Sequence, residues 1–177
     1  KKVLWSDSIQ EFLPSLFIGR TLHVCCGKSL LGDVRLDLDT ANNPDIVCDA
    51  SNMREIIADN SFETVLCDPP YNGKFQWNHD LLSELARIAS ERTIFQHWFI
   101  PANSQGLYKK AQEKFFMSQS YVWQGQAYFG RAQIISVFDR CLTSRALDEG
   151  SDCNCPAQHA YMTYVAHDVT CPARLRQ

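Results

Sequence analysis

Phe62-Glu63-Thr64-Val65-Leu66-Cys67-Asp68-Pro69-Pro70-Tyr71 is the stretch whose reading decides the fold. Its first six residues form a short apolar, β-prone run, and the Asp-Pro-Pro that follows ends it in a turn. Pro69 and Pro70 carry no N–H and cannot extend a strand ladder or enter a helix interior. Similar runs lie upstream: Leu22-His23-Val24-Cys25-Cys26, Val34-Arg35-Leu36-Asp37-Leu38 and Asp45-Ile46-Val47-Cys48. Another, Thr93-Ile94-Phe95-Gln96-His97-Trp98-Phe99, lies downstream. Apolar runs with little alternation suit a parallel sheet covered on both faces.

Helical periodicity surrounds these strands. Trp5, Ile9, Phe12, Leu13, Leu16 and Phe17 recur at steps of three and four, predicting an amphipathic helix over 5–17 with Pro14 as a kink. Leu81, Leu82, Leu85, Ile88 and Ala89 predict a helix over 79–89, with Asn78 or Asp80 placed to cap it. Leu107, Tyr108, Ala111, Phe115 and Phe116 predict another over 105–117. Two further runs, 120–126 and 133–139, read as an antiparallel pair that closes the sheet. The fold class is therefore α/β: an open, doubly wound sheet, mostly parallel, with a C-terminal antiparallel hairpin. The first two crossovers are short, Gly27 to Asp33 and Thr40 to Pro44, whereas a helical crossover needs roughly ten or more residues. Both are predicted to be nearly helix-free, which leaves one side of the sheet thinly covered.

The composition narrows the function classes. The chain has 177 residues with a formal net charge of −3, 45% hydrophobic and 21% charged. That is a globular composition, and no apolar run approaches the roughly 20 residues of a membrane span. An acidic balance argues against a binder that grips many phosphates without regard to sequence. Of the 8 cysteines, Cys25, Cys48 and Cys67 end apolar runs and Cys26 follows directly, as reduced, buried cysteines do. The expectation is a reducing, cytoplasmic compartment. In the tail, Cys153, Cys155, His159, His167 and Cys171 offer zinc-type ligands, but their spacing fits no common zinc ribbon or finger, and no metal is expected.

Asp68-Pro69-Pro70-Tyr71 carries the sharpest chemistry. Ligands of open α/β sheets bind beyond the carboxyl ends of the strands, where this tetrapeptide falls. A carboxylate, carbonyls freed from helix duty and an aromatic face together suit a planar ring bearing an exocyclic NH₂. The plainer reading is a proline-rich turn whose Asp caps a helix.

With these residues in hand, the chain resembles the class I S-adenosylmethionine-dependent methyltransferases, specifically those with a DPPY motif that methylate nucleobase amino groups. The resemblance covers roughly 22–140 and implies a Rossmann-like sheet. It implies that His23-Val24-Cys25-Cys26-Gly27-Lys28-Ser29 cradles the methionine part of the cofactor. Gly27 keeps one family glycine, while Ser29 and His23 depart from the usual glycine and acid. Asp37, with Asp39 second, matches the acid that holds the ribose hydroxyls. Asp49 and the N–H of Ala50 match the groups that meet adenine, although Asp49 also reads as a helix cap. Expected cofactor contacts are thus His23, Cys25, Cys26, Gly27, Asp37, Asp49, Ala50 and Asp68. The expected catalytic set is Asp68, Pro69, Pro70 and Tyr71.

The reaction so implied is methyl transfer from S-adenosylmethionine to an exocyclic amine, with adenine N6 of DNA or RNA leading. Guanine N2 or cytosine N4 of RNA is an alternative, as is a non-catalytic partner subunit with the same fold. The target base would be flipped out or single-stranded. The expected division is a methyltransferase domain over residues 1–140, with helix 5–17 packed on it, and 141–177 as a loop-rich extension of it. With little chain left for a separate reader domain, target choice falls to a loop, the extension, a helper subunit or a homodimer mate. Trp77, His97, Trp98 and Phe99 are candidate pocket residues. Lys74, Lys109, Lys110, Lys114 and Arg131 are candidate phosphate contacts or simply a solvated face.

Overall fold

In chain order the elements are α1 (Asp7–Phe12), β1 (Thr21–Val24), β2 (Val34–Asp37), β3 (Ile46–Val47), β4 (Phe62–Cys67), α2 (His79–Ile88), β5 (Ala89–His97), β6 (Phe115–Tyr128) and β7 (Arg131–Arg140). They come from a computed structural model that describes residues 7–70, 79–97, 115–128 and 131–140. One sheet holds all seven strands in the order β3-β2-β1-β4-β5-β7-β6. β1, β2, β3, β4 and β5 run parallel, and β7 pairs antiparallel with both β5 and β6. The chain steps outward through β1, β2 and β3, then returns to the other side of β1 with β4. That reversal is the topological switch point of a doubly wound sheet, and it opens a crevice beyond the carboxyl ends of β1 and β4.

The sequence explains the burial. β1 is buried at every position and β4 at every position except Glu63, as expected of central strands covered on both faces. On one face Leu22, Val24, Leu36, Val65, Cys67 and Phe95 pack beneath α2 and a 3-10 helix, Ala50–Glu55. On the other, Leu66, Ile94, Ile135 and Val137 pack beneath Ile9, Leu13 and Leu16. Those three come from α1 and the 3-10 helix Leu13–Leu16 that continues it. The kink expected at Pro14 is this tightening: the proline sits in the first turn of the 3-10 segment, where its missing N–H has no helical partner to lose.

The short crossovers are helix-poor as expected. The β1–β2 connection contains no helix, and the β2–β3 connection only the 3-10 turn Thr40–Asn42. The uncovered face is handled with polar side chains and a loop laid flat on the sheet. His23 is 1% exposed there, and its Nδ1–H donates to the Leu31 carbonyl at 3.1 Å. A Cβ on Gly32 would lie 3.2 Å from His23 Cβ and 3.3 Å from the Thr21 carbonyl oxygen. Only glycine, here at φ +90°, lets the loop press so closely. Next to it Arg35 folds along β2 and donates from Nη2 to the Asn43 carbonyl at 2.9 Å, with Asp45 Oδ2 3.3 Å from its Nε.

Two expectations change. The helix predicted over 105–117 overruns, because Phe115, Phe116 and Met117 belong to β6, opposite Arg140, Asp139 and Phe138. Ladder pairing with β7 outweighs a helical period that those residues also satisfy. Residues 105–114 lie outside the described residues. β5 begins at Ala89 instead of Thr93, directly after α2, because Ala89 already pairs with Phe62 across an irregular register. Among the described residues no helix is long and apolar enough to cross a membrane.

Burial lowers the His23 pKa from 6.5 to about 4, so the imidazole is held neutral. The folded-state value lies below the unfolded one, so this stability is fully present above pH 6.5 and is lost as pH falls towards 4. At 1.36 kcal/mol per pKa unit the effect amounts to about 3 kcal/mol. Urea unfolding at pH 7 and pH 4.5 should therefore show a larger loss for the native chain than for His23→Gln. Equal losses would dismiss His23 as the acid-sensitive group.

Candidate functional site

Strand ends build the site. β1 stops at Val24, and Cys25 and Gly27 then take left-handed conformations, φ +57° and +55°. For glycine this costs nothing, whereas for Cys25 it stores about 1–2 kcal/mol. Within the turn the Cys26 N–H still donates to the Leu36 carbonyl at 3.1 Å, which keeps the turn beside the end of β2. A Cβ placed on Gly27 would meet nothing within 4 Å, so its backbone faces open space. Ser29 and Cys26 point inward and are buried, and the Ser29 N–H closes the turn on the Cys26 carbonyl at 3.0 Å.

Asp37, the last residue of β2, sits beside this turn. Its Oδ2 accepts from the Gly27 N–H at 2.7 Å and its Oδ1 from the Asp39 N–H at 2.8 Å. A carboxylate has about four acceptor positions, so two bonds to backbone leave capacity for two more donors. The carboxylate thereby joins the loop after β1 to the end of β2. No sequence pattern signalled this clasp, because it spans two strands. Asp39 instead caps the 3-10 turn Thr40–Asn42, accepting from the Ala41 N–H at 3.0 Å. Of the two acids weighed from sequence, only Asp37 touches the glycine turn.

Asp49 follows β3 and heads the 3-10 helix Ala50–Glu55. Its Oδ1 accepts from the Ser51 N–H at 2.9 Å and from the Ser51 hydroxyl at 2.8 Å. The capping role read as the plainer alternative is therefore present, and it engages one of the two carboxylate oxygens. Ala50 is buried against the core. Leu38, 64% exposed between Asp37 and Asp39, is an apolar side chain at the mouth of the site that sequence reading passed over as part of a strand. Its exposure was the missing signal.

Asp68, Pro69 and Pro70 follow β4. The Asp68 N–H points at the Val24 carbonyl at 3.4 Å, so this segment leaves the sheet beside the turn after β1. Asp68 is half-buried, Pro69 buried and Pro70 exposed. Gly27, Asp37, Asp49 and Asp68 thus lie at the carboxyl ends of four strands adjacent in the sheet, along one edge. His23 does not join them: it lies within β1 under the Leu31 loop, where its Nδ1–H meets the Leu31 carbonyl. The thiols are protonated at neutral pH where burial acts on them. Cys26 is pushed up to about 11, and Cys48 and Cys67 are raised as well.

Tyr71, Lys74, Trp77, Trp98, Phe99, Lys109, Lys110, Lys114 and the tail residues Cys153, Cys155, His159, His167 and Cys171 lie outside the described residues. His97 closes β5 opposite Ile134, and Arg131 opens β7 opposite Tyr128. Among the described residues no three His, Cys, Asp or Glu side chains gather in a metal-holding arrangement.

No family model and no curated protein sequence matches the chain. Solved structures do match. An N-methyltransferase, NodS, from Bradyrhizobium japonicum WM9 superposes with a TM-score of 0.56 at 8% identity, over 75% of this chain and 94% of that one. The magnesium protoporphyrin IX methyltransferase of Synechocystis PCC 6803 with bound SAM gives 0.51 at 14%, over 76% and 77%. A putative RNA methyltransferase from Pyrococcus horikoshii gives 0.51 at 16%, over 76% and 83%. The fold of this chain is similar to that of these methyltransferases: an α/β sheet, mostly parallel, with antiparallel C-terminal strands.

Proposed function

We propose that the chain is an S-adenosylmethionine-dependent methyltransferase that acts on the exocyclic amino group of a nucleobase, with adenine N6 in DNA or RNA the leading target. The observation that carries this reading is the alignment of Gly27, Asp37, Asp49 and Asp68 at successive carboxyl ends of β1, β2, β3 and β4. A methyltransferase fold supports it at the coarse level.

The residues present fit the cofactor. The Gly27 backbone borders open space, which permits close approach of a ligand. Asp37 has acceptor capacity beyond its two backbone bonds, suited to the paired hydroxyls of a ribose. Leu38 offers an exposed apolar side chain beside it for a purine ring. Asp49 and the backbone of Ala50 supply an acceptor and a donor for the edge of that ring. When bound, S-adenosylmethionine supplies a methyl group already activated by its sulfonium.

The difficulty then lies with the acceptor amine, whose lone pair is delocalised into the ring. Asp68 accepts one N–H and the Pro69 carbonyl the other, which turns the lone pair out of conjugation and orients it. As the nitrogen gains positive charge, the Asp68 carboxylate stabilises it electrostatically. Pro70 stiffens the turn so that these acceptors need no rearrangement. Tyr71, outside the described residues, completes the tetrapeptide as the stacking partner of the base. Guanine N2 and cytosine N4 present the same pair of N–H groups, so identification of the methylated base separates them.

Tritiated methyl transfer to RNA, DNA and free nucleosides in parallel, followed by base analysis, tests the reading. Asp68→Asn should bind S-adenosylmethionine within a few-fold of the native chain yet turn over roughly a hundred-fold or more slowly. Undiminished turnover would sink the role given to Asp68. Gly27→Ala should cost only about 1 kcal/mol of stability, the left-handed strain alone, because no protein atom obstructs the methyl. Calorimetry should nevertheless show cofactor affinity reduced at least ten-fold. Unchanged affinity would remove Gly27 from the cradle.

A further inference from the structure

Successive residues of an extended strand point to opposite faces of the sheet, so Val24 and Cys25 should diverge. They do not. Val24 belongs to the core cluster that contains Cys67, and Cys25 packs against that same cluster. The left-handed backbone of Cys25 turns its side chain back to the Cys67 side, at a conformational cost that glycine would avoid. The register of β1 and β4 sets Val24 opposite Cys67, which puts Cys25 one residue beyond the partner position. The two thiols are therefore neighbours on one face of the sheet, at the ends of adjacent strands. Cys25 is half-buried, whereas Cys67 is fully enclosed. Both are free thiols.

We propose that Cys25 and Cys67 are an oxidisable thiol pair, and that their disulfide is a reversible lock on the crevice between β1 and β4. A hydroperoxide is the oxidant. The Cys25 sulfur attacks one peroxide oxygen, the O–O bond breaks, and Cys25 becomes a sulfenic acid as the first water leaves. The Cys67 sulfur then attacks the sulfenic sulfur, and the displaced hydroxide takes the Cys67 proton as the second water. Two thiols and one hydrogen peroxide give one disulfide and two waters, with both sulfurs oxidised and both peroxide oxygens reduced. Accessible Cys25 reacts first and enclosed Cys67 resolves it, an order that burial imposes.

Joining the pair by a bond of about 2.05 Å draws two backbone segments together. One leads from Cys25 to Gly27, and the other is Cys67-Asp68. The consequence for cofactor binding rests on the function proposed above, whereas the formation of the disulfide does not.

The reduced chain is treated with hydrogen peroxide, its free thiols are blocked, and a non-reducing digest is mapped by mass spectrometry. The expected product is a Cys25–Cys67 cross-linked peptide that dithiothreitol removes. Cys25 linked instead to Cys26, Cys48 or a tail cysteine, or found only as a sulfenic or sulfinic acid, overturns the proposal. Calorimetry with S-adenosylmethionine before and after oxidation should show affinity lowered at least ten-fold and restored by reduction. Cys67→Ala should bind cofactor like the reduced native chain and keep that affinity after peroxide. An equal loss in Cys67→Ala overturns the lock. Should that variant fail to fold, the map of the native chain still decides the pair. Absence of cofactor binding in the reduced native chain would count against the proposed function, and the cross-link map would still stand.

Discussion

The parallel pairing of β1 with β4 is the constraint on which the rest of the structure depends. Its four registered positions, Thr21 to Val24 against Thr64 to Cys67, are buried on both faces. They also fix the direction in which both strands release the chain. Because the two strands end side by side, the Cys25-Cys26-Gly27 turn and the Asp68-Pro69-Pro70 segment emerge as neighbours. Slipping this register by one residue would send Val24, Val65 and Cys67 to the wrong layer. It would also separate the groups proposed to hold cofactor and amine.

Around that pair the described residues build a doubly wound sheet whose first two crossovers carry little helix. Where a crossover helix would supply apolar cover, this chain places His23 beneath a flat loop and Arg35 along β2. Local acceptors meet them: the Leu31 carbonyl takes the His23 Nδ1–H, and the Asn43 carbonyl and Asp45 carboxylate face Arg35. The choice has a chemical cost, because a buried histidine stays neutral only while the medium is not acidic. Opposite, α2 and the 3-10 helix Ala50–Glu55 give the sheet conventional apolar cover; the Arg54–Glu84 pair ties the two together, and Arg87 holds Glu84 from within α2. Elsewhere Arg92 reaches both Asp139 and the Leu16 carbonyl, anchoring the N-terminal segment to β5 and β7.

Much of this was legible in the residues. Six-residue β4 was read to its ends, because an apolar run stopped by Asp-Pro-Pro leaves one choice of boundary. The helix-poor crossovers followed from counting residues between strands. Other boundaries were misread where tertiary pairing competes with local period: Phe115 to Met117 fit a helix face but pair with β7, and Ala89 fits the end of α2 but pairs with Phe62. In the candidate site, the order Gly27, Asp37, Asp49, Asp68 was readable because each stands at or just past the end of a strand. The bond of Asp37 to the Gly27 N–H was not, since the two residues meet only across the β1–β2 pairing.

The sequence by itself determined that a mostly parallel sheet forms and that acidic and glycine residues follow its strands, since both are matters of local chemistry and spacing. Which of those groups are neighbours was decided by the tertiary structure alone. The left-handed turn of Cys25 towards Cys67, the clasp of Asp37 on Gly27 and the burial of His23 all depend on strand order and register. Those are set by packing two faces at once, and no single stretch of chain encodes that.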